Sequence, residues 1–343
     1  MDGKQTVPAA DIHTFIDIYK LPPAMVPHLN LVVTDEDIQL VLALADNPLT
    51  ADAIAEAMRM GREECTHMLK EAVHRHVIHP DTRDDATRYR PAVFYDTMEF
   101  WTSYETGSWL RVPAESRKAV SAWQEQWFME RYRDLFNQLK TAPTDWMPIK
   151  NRDVLLLSEA MELIDHTDVI CLLRCDCKTS LFPGSPVIEG SMRIGARGKE
   201  TLARGRGRRL TREEAKAHLI FLDRMGLIHT GPRFWRQYDP DQEWVSHGNC
   251  HPAYSFPMRA GMRLGLGKEY PRVHYTADID WDKCTHCGAC AGRCLFGAFY
   301  HAGNTVSLHG HTLRRIEFDA EKCWGCGLCA NTCPQAAIVM RAF

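Results

Sequence analysis

Between residues 24 and 80, apolar positions recur at helical spacing and turn residues punctuate them. Thr34 is placed to cap DEDIQLVLALA, Asn47-Pro48 breaks that helix, and Thr50 caps ADAIAEAM. After Gly61, REECTHMLKEAVHRH puts Cys65, Met68, Leu69 and Ala72 on one face, which reads as core. HVIHPD then reads as a wing strand, so the stretch has the order of a winged helix-turn-helix.

Residues 89–140 are rich in aromatics. A long helix is expected from about Pro113, with Val120, Trp123, Trp127, Leu135 and Leu139 as its apolar stripe. From about residue 151, VLLLSEAMELI reads as helix and DVICLLR as a buried strand. SMRIGARGKETLARGRGRRL gathers Arg193, Arg197, Lys199, Arg204, Arg206, Arg208 and Arg209, either as a solvated loop or as a surface for an acidic partner or phosphate. Thr211 and Glu214 form a capping box for the next helix, which Gly226 ends. YHAGNTVSLHGHTLRRIEF alternates and turns at Gly303-Asn304 and Gly310, the pattern of a β-hairpin.

Composition narrows the class only modestly. The 343 residues carry a formal net charge of -3, which gives no whole-chain case for nucleic acid or membrane binding. Residues 24–80 hold nine Asp/Glu against four Lys/Arg, and the would-be recognition helix opens Arg62-Glu63-Glu64. Carboxylates facing phosphates argue against DNA as a partner. MDGKQTVPAADIHTF has no basic segment followed by an apolar one, so no signal peptide is expected. A cytoplasmic setting is expected, where 13 cysteines imply metal or redox chemistry rather than disulfides.

The cysteine spacing decides more. Cys284, Cys287, Cys290 and Cys294 read C-x2-C-x2-C-x3-C, and so do Cys323, Cys326, Cys329 and Cys333. Three thiolates on one tight loop cap three corners of a cubane, and the fourth reaches the other cluster. Cluster I is therefore assigned Cys284, Cys287, Cys290 and Cys333, and cluster II Cys294, Cys323, Cys326 and Cys329. Gly288, Ala289, Gly325 and Gly327 leave room for the backbone to wrap each cluster. Residues 273–343 resemble a bacterial-type 2[4Fe–4S] (dicluster) ferredoxin domain, with Leu295 where the second run has Pro334. His286, between two ligands, reads as a solvated loop histidine; the alternative is a role in tuning potential or moving a proton.

A wider resemblance rests on Cys175-Asp-Cys177-Lys178, GRGRRLTREEA (205–215) and GNCHPAYSF (248–256). In order, these are similar to pieces of prokaryotic 4Fe–4S-binding proteins with a winged-helix-like N-terminal region and a C-terminal dicluster ferredoxin domain. The resemblance implies a further metal site in the middle module, of which Cys171, Cys175, Cys177 and Cys250 remain, while His251, Ser255 and Ser191 stand where relatives carry cysteine. That set suits a third cluster or Zn, or else consists of unligated thiols. If Cys171 to Cys177 run as a strand, the three early thiols share a face.

The fold class expected is α+β: mostly helical winged-helix-like and middle modules, then a two-cluster ferredoxin fold. The boundaries are 1–88 for the winged-helix-like domain, 89–150 for an aromatic-rich helical connector, 151–272 for the middle module and 273–343 for the ferredoxin domain. No residue set is assembled as nucleophile and base. The expected function is electron transfer through two [4Fe–4S] clusters to or from a redox partner protein, an oxidoreductase or flavoprotein. The alternatives are an oxidoreductase subunit with its own third metal or substrate site, and a redox-sensing winged-helix regulator.

Overall fold

The computed structural model describes residues 7–45, 47–81, 86–141, 153–181, 185–232, 245–308 and 310–343. Asp46, one of the nine acidic residues counted above, lies outside them. The fold mixes helix and sheet, as the α+β class requires. Two compact units are present: residues 1–130 with 174–188, and residues 131–173 with 189–343.

In chain order, the first unit opens with α1 (Ala9–Tyr19), α2 (Asp35–Ala43), β1 (Leu49–Thr50), α3 (Ala51–Ala57) and α4 (Arg62–His74). Then come β2 (Ile78–Asp81), β3 (Arg88–Pro91), α5 (Phe94–Ser103), α6 (Thr106–Arg111) and α7 (Ala114–Arg131). Next are α8 (Arg133–Leu139), β4 (Asp153–Leu155), α9 (Leu157–Asp165), β5 (Ile170–Arg174) and α10 (Asp176–Leu181), the last within the first unit. The second unit continues with β6 (Glu189–Ile194), α11 (Gly195–Ala203), β7 (Arg208–Leu210), α12 (Arg212–Arg224), β8 (Ile228–Gly231), β9 (Val245–Cys250) and α13 (Phe256–Arg263). It closes with β10 (Tyr275–Ile279), α14 (Ala289–Arg293), β11 (Phe299–Leu308), β12 (His311–Phe318), α15 (Leu328–Thr332) and β13 (Ile338–Ala342).

In the first unit the expected caps form. Thr34 and Asp37 make a reciprocal capping box on α2, and Thr50 Oγ1 accepts the Ala53 N–H. Asp37 is itself buried, because Arg75 at the end of α4 donates two hydrogen bonds to it at 2.7 and 2.9 Å. Strands β1, β3 and β2 form one antiparallel sheet. Cys65, Leu69 and Ala72 are buried on α4 as the spacing requires, packed in one core with Phe15, Tyr19 and Ile54. The long helix expected from Pro113 breaks at Tyr132 into α7 and α8. Along it Val120 and Leu139 are buried, whereas Trp123, Trp127 and Leu135 are half-buried.

The second unit is built on a six-stranded sheet, order β4-β8-β9-β6-β5-β7. The middle of the chain is therefore less helical than its sequence pattern suggests. Residues 153–155, expected to be helical, are strand β4, because Asp153, Val154 and Leu155 pair with Gly231, Thr230 and His229 of β8. The helix α9 starts only after Leu156, whose N–H donates to Glu159. The arginine-rich segment is not a loop but strand β6, helix α11 and strand β7. Arg206 is only 3% exposed, and burial followed by the charges of Arg197 and Arg206 lowers Arg193 to about 9. α12 begins with the Thr211–Glu214 box and is followed by Gly226 at φ +87°. Among the described residues, no helix is long and apolar enough to cross a membrane.

Candidate iron–sulfur centre

Two short helices, α14 and α15, each follow a cysteine loop, and the two loops repeat one backbone path. Gly288 and Gly327 cap them at φ +80° and +77°. Two residues after the first cysteine of each run, His286 and Gly325 take φ +50° and +58°. Three residues after the last, Gly297 and Ala336 take +66° and +47°. Left-handed residues at matched places turn main-chain N–H groups towards the sulfurs. The Ala298 N–H donates to Cys294 Sγ at 3.2 Å, and the Ala337 N–H to Cys333 Sγ at 3.3 Å. Gly325 N–H adds a bond to Cys323 Sγ at 3.4 Å.

Cys284, Cys287, Cys290 and Cys333 line one cavity, together with Trp281 and His286. Cys294 lies within electrostatic range of Cys326 and Cys329, which also feel Cys323. Burial first, then the sulfurs of Cys284 and Cys287, push Cys290 up to about 11; burial, then Cys323 and Cys294, push Cys326 up to about 12, and burial with the neighbouring sulfurs raises Cys329 too. Buried thiols raised in this way become thiolates readily against a strongly cationic centre, which is what an iron cluster offers. The donor set, its N–H···S bonds and the cavity fit that group.

Residues 283–337 match the family described as 4Fe-4S dicluster domain. Neither the curated proteins nor the solved structures contain a match to the chain. The C-terminal segment is thus an iron–sulfur, ferredoxin-like domain, and its cysteine array points to iron–sulfur electron transfer.

Strands β10 and β13 pair antiparallel, and the expected hairpin forms from β11 and β12 with its turn at Gly310; Gly303-Asn304, expected as a turn, lies inside β11 at a bulge between His301 and Thr305, because pairing with β12 resumes beyond it. The domain is tied to strand β4 by His274 Nε2 with Asp153 (2.6 Å) and to helix α9 by the Tyr275 hydroxyl donating to Glu159 (2.7 Å). Phe296 and Trp324 stack at 4.8 Å, in one core with Val154, Ile228 and Met258. Cys326 and Cys250 both pack against that core.

His286 is not a solvated loop residue. Its Nδ1 accepts the N–H of the buried Ile316 at 3.1 Å and lies 4.0 Å from Cys284 Sγ, and its ring stacks on Trp281. The signal was present in the sequence: aligning CTHC with CWGC puts His286 where the second run has glycine.

The four cysteines of the expected middle site have different surroundings. Cys171 is fully buried in β5, its Sγ on the Arg206 carbonyl at 3.5 Å, and burial pushes it up to about 11. Cys250 is at the end of β9, its Sγ 3.4 Å from Thr230 Oγ1. Strand β6 stands between β9 and β5, so Cys171 and Cys250 are not neighbours in the sheet. Cys175 and Cys177 do not continue the strand: β5 stops at Arg174, and Asp176 starts α10. The strand expected over DVICLLR thus forms as β5, but it does not run on to Cys177, so the condition for the three early thiols to share a strand face is not met. Cys175 and Cys177 do come together, and the hydrogen bond from Cys177, then the charge of Lys178, outweigh burial and Asp176 to lower Cys175 to about 7.

Proposed function

We propose that this chain is an electron-transfer protein, carrying single electrons on two [4Fe–4S] clusters to or from a partner oxidoreductase. Cys284, Cys287, Cys290 and Cys333 hold one cluster, and Cys294, Cys323, Cys326 and Cys329 the other. The observation that carries this reading is the duplicated loop, with matched left-handed residues and matched N–H···S bonds to Cys294 and Cys333. When bound, each cluster takes up and releases one electron at a potential set by its surroundings. The chain's own part is to fix the sulfurs, stabilise their charge through main-chain N–H groups, and limit water.

The two ends differ. Cys287 is exposed, and beside it Trp281 is 47% exposed. Cys323 and Cys329 are buried. The partner accordingly meets the Cys287 side, and the Cys323–Cys329 side is the inner end, against Phe296 and Trp324.

The order α2, β1, α3, α4, β2, β3 supports a winged-helix-like N-terminal region. Its α4 begins with Arg62, paired to Asp52 at 3.1 Å, followed by Glu63 and Glu64. A phosphate backbone finds few cations there, so this region serves protein contact rather than DNA.

Anaerobic reduction followed by electron paramagnetic resonance tests the reading. Two magnetically interacting one-electron centres per chain are expected. A single isolated centre, or none after iron and sulfide reconstitution, contradicts it.

A further inference from the structure

Outside the iron–sulfur domain, one pair of reactive side chains has no part in the function above. In the first unit, Cys175, Asp176 and Cys177 bring their two sulfurs and a carboxylate oxygen within 4.8 Å of one another. The segment is pinned. Cys175 N–H donates to the Ile188 carbonyl at 2.8 Å, and the Cys175 carbonyl accepts from Thr179 N–H and Oγ1 at 2.9 and 3.0 Å. Cys177 N–H donates to Asp176 Oδ1 at 2.8 Å, and the two sulfurs lie within 4.8 Å of each other. Next to them Lys178 is fully buried, its Nζ donating to the Val187 carbonyl at 2.9 Å. Cys175 is half-buried and so within reach of a small reagent; Cys177 is 8% exposed.

We propose that Cys175 and Cys177 form a thiol–disulfide couple, which closes reversibly into an intramolecular disulfide by exchange with a low-molecular-weight disulfide. Residues two apart at a strand-to-helix junction have Cα atoms ~5.5–6.5 Å apart, inside the span that a disulfide bridges. The Cys175 thiolate attacks one sulfur of the small disulfide, forming a mixed disulfide and expelling one thiolate. The Cys177 sulfur then displaces the second thiolate from Cys175. The Cys177 proton passes to a released thiolate, and two electrons have moved from the pair to the small disulfide. Lys178 favours this chemistry over a bound metal. Its buried charge stabilises a thiolate but repels a divalent cation, and three consecutive residues leave a tetrahedral site incomplete.

The test uses the full-length, iron-loaded protein, equilibrated anaerobically in glutathione buffers from reducing to oxidising. Free thiols are trapped by alkylation, and the tryptic peptide Cys175–Lys178 is weighed. The proposal expects this peptide to lose both alkyl groups together, reversibly, with iron content unchanged. In Cys177→Ser, a mixed disulfide with glutathione accumulates at Cys175. In Lys178→Met, alkylation of Cys175 at neutral pH slows roughly fivefold or more. A peptide that stays doubly alkylated throughout, or oxidises only as iron is lost, overturns the proposal. So does about one zinc per chain that is released only when both cysteines are replaced. Iron is read separately from the peptide, so this outcome does not depend on the electron-transfer reading.

Discussion

Asn331 donates from Nδ2 to the Asp223 carboxylate at 2.8 Å. The bond joins α15, the short helix that carries Cys329, to the end of α12. Arg293, next to Cys294, reaches the same place and donates to the carbonyls of Asp223 and Arg224. Both short helices that follow the cysteine loops are thus anchored on one turn, and Asp223 is only 4% exposed. Replacing Asn331 with alanine leaves a buried carboxylate short of a donor. The expected cost is about 1–3 kcal/mol in anaerobic denaturant unfolding. An unchanged midpoint would mean that the anchor contributes nothing.

Gly325 gives a sharper test of the loop geometry. At φ +58°, a Cβ there would sit 2.3 Å from the Tyr275 carbonyl oxygen and 2.9 Å from Val273 Cγ1. Backbone cannot yield as a flexible side chain does. Gly325→Ala should cost about 3 kcal/mol or more and reduce iron content. Gly292→Ala, where nothing lies within 4 Å, should retain full iron. Equal iron in the two variants would contradict the fit.

His247 predicts a pH dependence. It is 1% exposed, and burial first, then the charge of the stacked His229, lowers it to about 3 from 6.5. The neutral form is the folded form, so its contribution is intact above pH 6.5 and is lost as pH falls towards 3. Between pH 7 and 5, unfolding free energy should drop by about 2 kcal/mol more in the wild type than in His247→Leu. Parallel pH profiles would show that His247 does not titrate between the two states.

Exposure distinguishes the cysteines of the two runs. Cys287 is exposed, whereas Cys290, Cys323 and Cys329 are buried. Under stepwise mild oxidation with an alkylating agent present, Cys287 should be labelled first among the eight cysteines of the two runs. Labelling that starts at Cys323 or Cys329 would reverse the assignment of outer and inner ends.

The parts legible in the sequence were those set by local chemistry. Cysteine spacing located the domain, threonines 34, 50 and 211 marked helix starts, and alternation around Gly310 showed a hairpin. What escaped depended on distant partners. Strand β4 looks helical because a short apolar run has no decisive period, and its partner β8 lies far along the chain. DVICLLR was legible as a strand, but whether it ran on to Cys177 was not, because nothing local shows that pairing with β7 ends near Leu172. Asp223 carries no local signal in the sequence; only the fold brings Asn331 and Arg293 to it. His286 was hidden by its chemistry: a histidine in a polar loop resembles solvent-facing residues, and its left-handed backbone shows only against Gly325.

The central claim is that eight cysteines in two interleaved sets hold two clusters. Iron, acid-labile sulfide and zinc should be measured on anaerobically purified protein and on the Cys175→Ser/Cys177→Ser double variant. The account predicts about eight iron and eight sulfide per chain in both. About two zinc with no sulfide would contradict it.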